Sequence, residues 1–281
     1  MQTVQDVGTL RAKVRSWRAD GKTVGFVPTM GNLHQGHESL VGLARTRTDK
    51  VVVSVFVNPT QFAPGEDFDR YPRTMPVDQM LLSDAGCDLL FAPEVGTMYP
   101  YGAVHGTVLH VPELTETLEG EHRPGHFDGV ATVVCKLFNM VQPDVAVFGQ
   151  KDFQQLKVVE RLVRDLSLPV QILAAPICRA SDGLALSSRN QYLSAAERAR
   201  APLIHGTLLK MRELLAAGHA WPVVERVAVA HLRRGGMVPD YAVIRRVVDL
   251  SVPAGQERAG LIALIAARLG QTRLLDNLVL D

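Results

Sequence analysis

The chain has 281 residues, close to the size at which one hydrophobic core stops growing, so its length predicts a large domain and a smaller one. Hydrophobic residues at 47% and charged residues at 21% are the balance of a globular protein, and a formal net charge of +1 excludes global attraction to nucleic acid or to a membrane surface. Partners must therefore be read from local sites. Cys87, Cys135 and Cys178 are odd in number, far apart and set in apolar surroundings, which suits a reducing cytoplasm. There is no basic-then-apolar leader and no apolar run of roughly 18 residues, so neither a secretion signal nor a membrane span is expected.

The first predicted element is a strand at Thr23–Val27, rich in β-branched and aromatic residues and ending in Pro28-Thr29. Leu40, Leu43 and Ala44 keep helical spacing, which predicts a helix opening near His37. Lys50–Val57 is almost continuously apolar and predicts a strand covered on both faces. Asn58 to Arg73 contains Pro59, Pro64, Gly65 and Pro72 without any period, so it is a candidate binding loop. A helix at Pro76–Gly86 and a strand at Cys87–Pro93 follow. Next come a helix at Asp128–Val141, a strand at Asp144–Gly149, a helix at Asp152–Leu166 and a strand at Val170–Ala174. This alternation predicts an α/β fold, a doubly wound, Rossmann-like parallel sheet. Beyond Ser181 the character changes to helices at Ser194–Ala217 and Pro222–Arg234 and strands at Tyr241–Ile244 and Leu261–Ala266, a second, smaller α+β domain. The expected domains are 1–180 and 181–281.

The most informative stretch is Pro28-Thr29-Met30-Gly31-Asn32-Leu33-His34-Gln35-Gly36-His37, which joins a strand to a helix through a His-x-Gly-His turn. A helix start has unpaired N–H groups and a partial positive charge, so polyphosphate is favoured there. Gly31 and Gly36 let backbone approach a ligand, and His34 and His37 add imidazole donors. Two histidines three apart also suit a metal, but no third His or Cys follows at zinc-like spacing. Polar segments fall where further strands end: Asn58-Pro59-Thr60-Gln61-Phe62, Gly149-Gln150-Lys151-Asp152-Phe153-Gln154-Gln155, and Asp182 to Asn190. Each has a structural alternative. Asn58 and Asp182 could form turns, Ser187 or Ser188 could cap a helix, and Lys151 and Arg189 could be solvated charges.

These motifs, with Leu118-Glu119-Gly120, Arg123-Pro124-Gly125-His126-Phe127, Gly129 to Lys136 and Asp182 to Tyr192, resemble the pantothenate synthetase (pantoate–β-alanine ligase) family of the His-x-Gly-His nucleotidyltransferase superfamily. The match extends over roughly the first two thirds and is looser through Asp240-Tyr241 and Thr272 to Asn277. Ala180 and Cys178 depart from the usual pattern beside Arg179. The resemblance implies that pantoate attacks the α-phosphorus of ATP, and that the β-alanine amine then displaces AMP from pantoyl adenylate.

By the same resemblance His37, His34, Lys151 and Arg189 carry catalysis. ATP lies along Met30, Gly31, Asn32, Leu33, His34, Gln35, Gly36 and His37, then along Gly149, Gln150, Lys151 and Asp152. Cys178, Leu186, Ser187, Ser188 and Arg189 complete its site. Gln61 and Gln155 form the substrate site for pantoate and β-alanine, and suit pantoate because an amide can hydrogen-bond a carboxylate without blunting it as a nucleophile. Mg²⁺ is expected mainly through the phosphates of ATP, and the smaller domain is expected to close as a lid. A cytoplasmic homodimer acting on small molecules is implied. Two alternatives stay open: a nucleotidyltransferase that moves AMP or CMP onto a phosphorylated acceptor and stops, and a nucleotide-binding regulatory module without turnover.

Overall fold

The computed structural model describes every residue except Pro64, Gly65, Asp67, Val104, Gln256 and Asp281. Pro64 and Gly65, two of the breakers in the candidate binding loop, thus lie outside the described residues. The chain divides into two compact units, Met1–Gln150 with Gln154–Pro176, and Lys151–Phe153 with Ile177–Asp281. The division falls at Pro176/Ile177 instead of 180/181, and Lys151–Phe153, expected in the larger domain, belongs to the smaller unit.

Up to Pro176 the chain runs through β1 (Gln2–Val4), α1 (Val7–Ala19), β2 (Val24–Thr29), α2 (Gln35–Arg45), β3 (Lys50–Val55), α3 (Met75–Asp84) and β4 (Leu89–Phe91). The one-turn helices α4 (Val95–Met98) and α5 (Glu119–His122) follow, then α6 (His126–Val141), β5 (Val145–Gly149), α7 (Phe153–Asp165) and β6 (Gln171–Ala175). The strands form one parallel sheet in the order β1-β4-β3-β2-β5-β6. The short strand β1 and the helix α1 are additions to the predicted elements.

Alternation along the strands separates the two faces. Val27, Val51, Val53, Val145 and Val147 pack with Leu40, Val41 and Ala44 of α2 and Leu82 of α3. Phe26 and Phe148, on the opposite face, each meet Phe138 of α6 edge-on at 6.3 Å. Helices thus cover both faces, and the near-continuous apolar strands follow from that double coverage. The chain winds from β2 through β3 to β4 on one side, then places β5 on the other side of β2. The switch point of the sheet lies between β2 and β5, where open α/β sheets hold their ligands.

The smaller unit contains α8 (Ala195–Arg200), α9 (Leu203–Ala216) and α10 (Trp221–Arg234). Its antiparallel sheet has the order β7 (Val238–Arg246), β8 (Leu261–Leu269), β9 (Thr272–Val279). Its core joins Ile204, Leu208, Met211 and Leu215 of α9 to Val224, Ala228 and Leu232 of α10 and to Ala242, Ala263, Ile265 and Leu274 of the sheet. The single helix predicted over Ser194–Ala217 is two helices. Pro202 cannot donate an N–H to the preceding turn, and its ring collides with that turn's carbonyl. The hairpin strand β9 was not predicted.

Candidate active site

The loop after β2 is built before any ligand is considered. Gly31 has φ +81°, and an added Cβ would lie 3.0 Å from both the Asp78 carboxylate and Val55, so only glycine fits without displacement. Asp78, on α3 and 1% exposed, accepts the N–H groups of Asn32 at 3.1 Å and Leu33 at 2.8 Å and the Thr74 hydroxyl at 3.1 Å. A buried carboxylate thus fixes the chain just before the helix start. Nothing in the sequence singled it out.

His34 is the N-cap of α2, and its Nδ1 accepts the Gly36 N–H at 3.1 Å. The Nδ1 of His37 accepts the N–H of His34 at 3.3 Å, closing a reciprocal cap of two imidazoles with ring centroids 4.2 Å apart. An Nδ1 that accepts an amide hydrogen carries no proton, so each neutral ring has its hydrogen on Nε2. The helix start therefore presents backbone N–H groups, the positive end of a dipole and two imidazole donors of fixed tautomer. Met30 is half-buried beside it, Leu33 is buried and Gln35 is exposed. Gly149, the last residue of β5, lies on the α2 side, where an added Cβ would first meet Leu40 at 4.0 Å. This is the switch point anticipated from the strand order.

The segment after β3 has its own internal frame. Asn58, wholly buried, accepts from the Tyr99 hydroxyl at 2.8 Å and the Thr60 N–H at 3.3 Å. It donates to Gln61 Oε1 and the Gly129 carbonyl, both at 3.2 Å. It is a turn former, as its structural alternative held, and also the hub that aims Gln61. Gly129 is required on α6, since a Cβ there would sit 2.3 Å from the Thr60 carbonyl. The Gln61 carbonyl accepts from His126 Nδ1 at 2.8 Å and Arg123 at 3.1 Å. Arg123 in turn forks onto Glu66 at 2.9 and 2.8 Å. Burial, reinforced by the Arg123 charge, pushes the His126 imidazole down to about 4, so it stays neutral in this clasp.

The two adjacent glutamines of α7 differ. Gln154, 4% exposed, is saturated by the Glu119 N–H and by the carbonyls of Leu114 and Thr117 at 3.0, 2.7 and 2.7 Å. Gln155 is half-buried, and its side chain finds no hydrogen-bond partner among the described residues. Gln154 holds the 114–119 loop; Gln155 has its amide available.

Of the remaining expected residues, Gln150 ends the first segment of the larger unit and the others belong to the smaller unit. Gln150–Asp152 form one 3₁₀ turn directly after β5, and within it Lys151 Nζ lies 3.6 Å from Asp152. The Cys178 carbonyl accepts the Leu186 N–H at 2.9 Å, closing the turn that leads into the 3₁₀ segment Ser188–Tyr192. Ser187 caps that segment through the Arg189 N–H at 3.3 Å. Asp182 pairs with Arg198 at 2.6 Å and braces the turn through the Leu184 N–H. Ser187 thus serves as an N-cap and Asp182 as a turn former, the structural roles open to them from sequence.

A doubly wound sheet whose switch point carries an imidazole-capped helix start places the chain among the α/β enzymes that bind nucleotide phosphates at such a site. The family described as Pantoate-beta-alanine ligase matches residues 2–279, and the chain belongs to that family. It is 56% identical over 282 residues to a pantothenate synthetase of Stutzerimonas stutzeri (strain A1501), covering 100% of this chain and 98% of that one. It is also 56% identical over 278 residues to one of Xanthomonas axonopodis pv. citri (strain 306), covering 99% of each. Its fold matches a crystal structure of pantothenate synthetase from Thermus thermophilus with TM-score 0.93 and 48% identity, over 100% of this chain and 99% of that one. A Francisella tularensis pantoate-beta-alanine ligase complexed with beta-gamma ATP and beta-alanine matches with TM-score 0.83 and 30% identity, over 99% and 97%. Among the described residues no helix is long and apolar enough to cross a membrane.

Proposed function

We infer that the chain is an ATP-dependent ligase that joins pantoate to β-alanine through a pantoyl adenylate. A pantoate carboxylate oxygen attacks the α-phosphorus and pyrophosphate leaves. The β-alanine nitrogen then attacks the acyl carbon and gives up a proton, and AMP leaves. Neither step needs a protein nucleophile, so the residues act by positioning and by stabilising charge.

The observation that carries this reading is the reciprocal cap of His34 and His37. It holds two Nε2 hydrogens at a helix start on the β2/β5 switch point, which suits charge developing on an α-phosphoryl group. Gly149 borders the nucleotide. Lys151 and Arg189 supply cations to the leaving pyrophosphate, with Ser187 and Ser188 as hydroxyl partners. Mg²⁺ enters with ATP, as a cation that keeps its waters and rides on substrate phosphates. Gln61, held by Asn58, and Gln155, whose amide is uncommitted, are the pantoate ligands. The enzyme acts in the cytoplasm as a homodimer; the exposed Val77 and Met80 on α3 support an associating surface.

Pyrophosphate release from ATP and pantoate, with and without β-alanine, tests the reading. Release without β-alanine and AMP formation dependent on it are expected. His37→Ala should fold and lose about two or more orders of magnitude in adenylation, the scale of one lost transition-state donor. Near-parent release by folded His37→Ala would remove His37 from the mechanism.

A further inference from the structure

Strand β9 interrupts its own pattern. Leu274, Leu278 and Leu280 join the helix-facing core of the smaller unit, yet Asp276, in register between them, is only 3% exposed. A buried carboxylate in an apolar row requires a partner, and Arg179 supplies it with a two-pronged pair at 2.6 and 2.9 Å. The pair does more than neutralise. Asp276 Oδ1 also accepts the N–H of Asn277 at 2.8 Å, and Arg179 reaches the Asn277 carbonyl at 3.4 Å and the Gly183 carbonyl at 3.0 Å. Asn277, 2% exposed, is thus clamped at both backbone groups. Its side chain reaches outside the sheet: Nδ2 donates to the main-chain carbonyl of Lys151 at 2.8 Å, across 126 residues of sequence.

We propose that Asn277 is a positioning residue for adenylation, setting the main chain of Lys151 so that its ammonium meets the triphosphate, with Asp276 and Arg179 holding Asn277 in place. The proposal rests on the assignment of Lys151 made above. The chemistry favours it because Lys151 sits on a single 3₁₀ turn joining the end of β5 to the start of α7, and a lysine cation moves with any tilt of the turn that carries it. The clamp also explains why Asp and Asn stand side by side between the leucines of β9. One side chain anchors the strand and the other reaches out from it.

The test compares single-turnover pyrophosphate release from Mg·ATP and pantoate in the parent, Asn277→Asp, Lys151→Ala and the double variant. Asn277→Asp keeps the shape but sets a carboxylate oxygen against the Lys151 carbonyl. It should slow adenylation about tenfold or more while the pantoate KM stays within about twofold, because a misplacement near 1 Å has effects of that order. In the Lys151→Ala background Asn277→Asp should add nothing, since its effect passes through the lysine. Asn277→Ala, which removes the donor without repulsion, should slow the step too and serves if the Asp variant fails to fold. Slow Lys151→Ala beside parent-like Asn277→Asp and Asn277→Ala would overturn the positioning role alone. Effects that multiply in the double variant would also overturn it, by showing general damage to the unit. Parent-rate adenylation by Lys151→Ala would overturn the assignment of Lys151 itself, and this role with it.

Discussion

Replacing Asp78 by alanine should loosen the loop after β2 measurably. The substitution removes the acceptor of two backbone N–H groups, at 2.8 and 3.1 Å, and of the Thr74 hydroxyl. A buried donor left unpaired costs about 1–3 kcal/mol. Leu33 is buried and loses close to the full amount, whereas half-buried Asn32 recovers part of its loss from water, which gives roughly 2–4 kcal/mol in all. In a domain of this size about 2–4 °C accompany each kcal/mol, so the expected fall in Tm is roughly 5–15 °C. The site-specific signature is amide exchange at Asn32 and Leu33. At about 1.4 kcal/mol per factor of ten, it should accelerate about thirtyfold or more. Asp78→Asn, which keeps one acceptor oxygen, should fall between parent and Asp78→Ala. Parent-like Tm together with unchanged exchange at residues 32 and 33 would refute the claim that α3 holds this loop.

Other expectations follow from single contacts. Gln155→Ala should raise the pantoate KM well above any change in the ATP KM, whereas Gln154→Ala should chiefly lower Tm by loosening the 114–119 loop; steady-state kinetics beside thermal melts separates the two. His126 is held below its ordinary value of 6.5, so the unfolded chain binds a proton at a higher pH than the folded one and its neutral clasp weakens as pH falls from 6.5 toward about 4. Urea titrations should show the parent losing up to about 3 kcal/mol more than His126→Gln across that window, at about 1.4 kcal/mol for each factor of ten in proton affinity; equal losses would contradict it. All three cysteines are free, and burial pushes the Cys87 thiol up to about 12. Thiol titration of the native protein should therefore reach Cys135 and Cys178 first and Cys87 only after denaturation.

The sequence was most legible where one physical signal acts alone. Lys50–Val57 reads as a strand buried on both faces, and the strand forms over Lys50–Val55, while Pro28 to His37 reads directly as strand, glycine turn and helix start. It was least legible where a residue's meaning depends on a distant partner. Asp78 looks like an ordinary acidic residue in a helix's first turn, and only the returning 31–33 loop makes it a backbone anchor. Gln154 and Gln155 are indistinguishable in one dimension; facing the 114–119 loop commits one and leaves the other. Leu10, Val14 and Trp17 carried the spacing of α1 in plain view. Asp276 and Asn277, by contrast, disguised β9 by breaking its alternation, and Pro202 was the overlooked signal that splits the long helix.

The strand order also bears on when the site comes into being. The crevice exists only once β5 lies beside β2, an alignment fastened where the Asp144 carboxylate accepts the Val24 N–H across 120 residues. Pairing strands so far apart in sequence adds non-local contacts, which slow folding. During synthesis the His-x-Gly-His turn therefore emerges long before it has a cleft to serve, and a nascent chain of three or four strands displays the motif without competence. The cleft is thus a late product of the chain, assembled from strands that lie far apart in sequence.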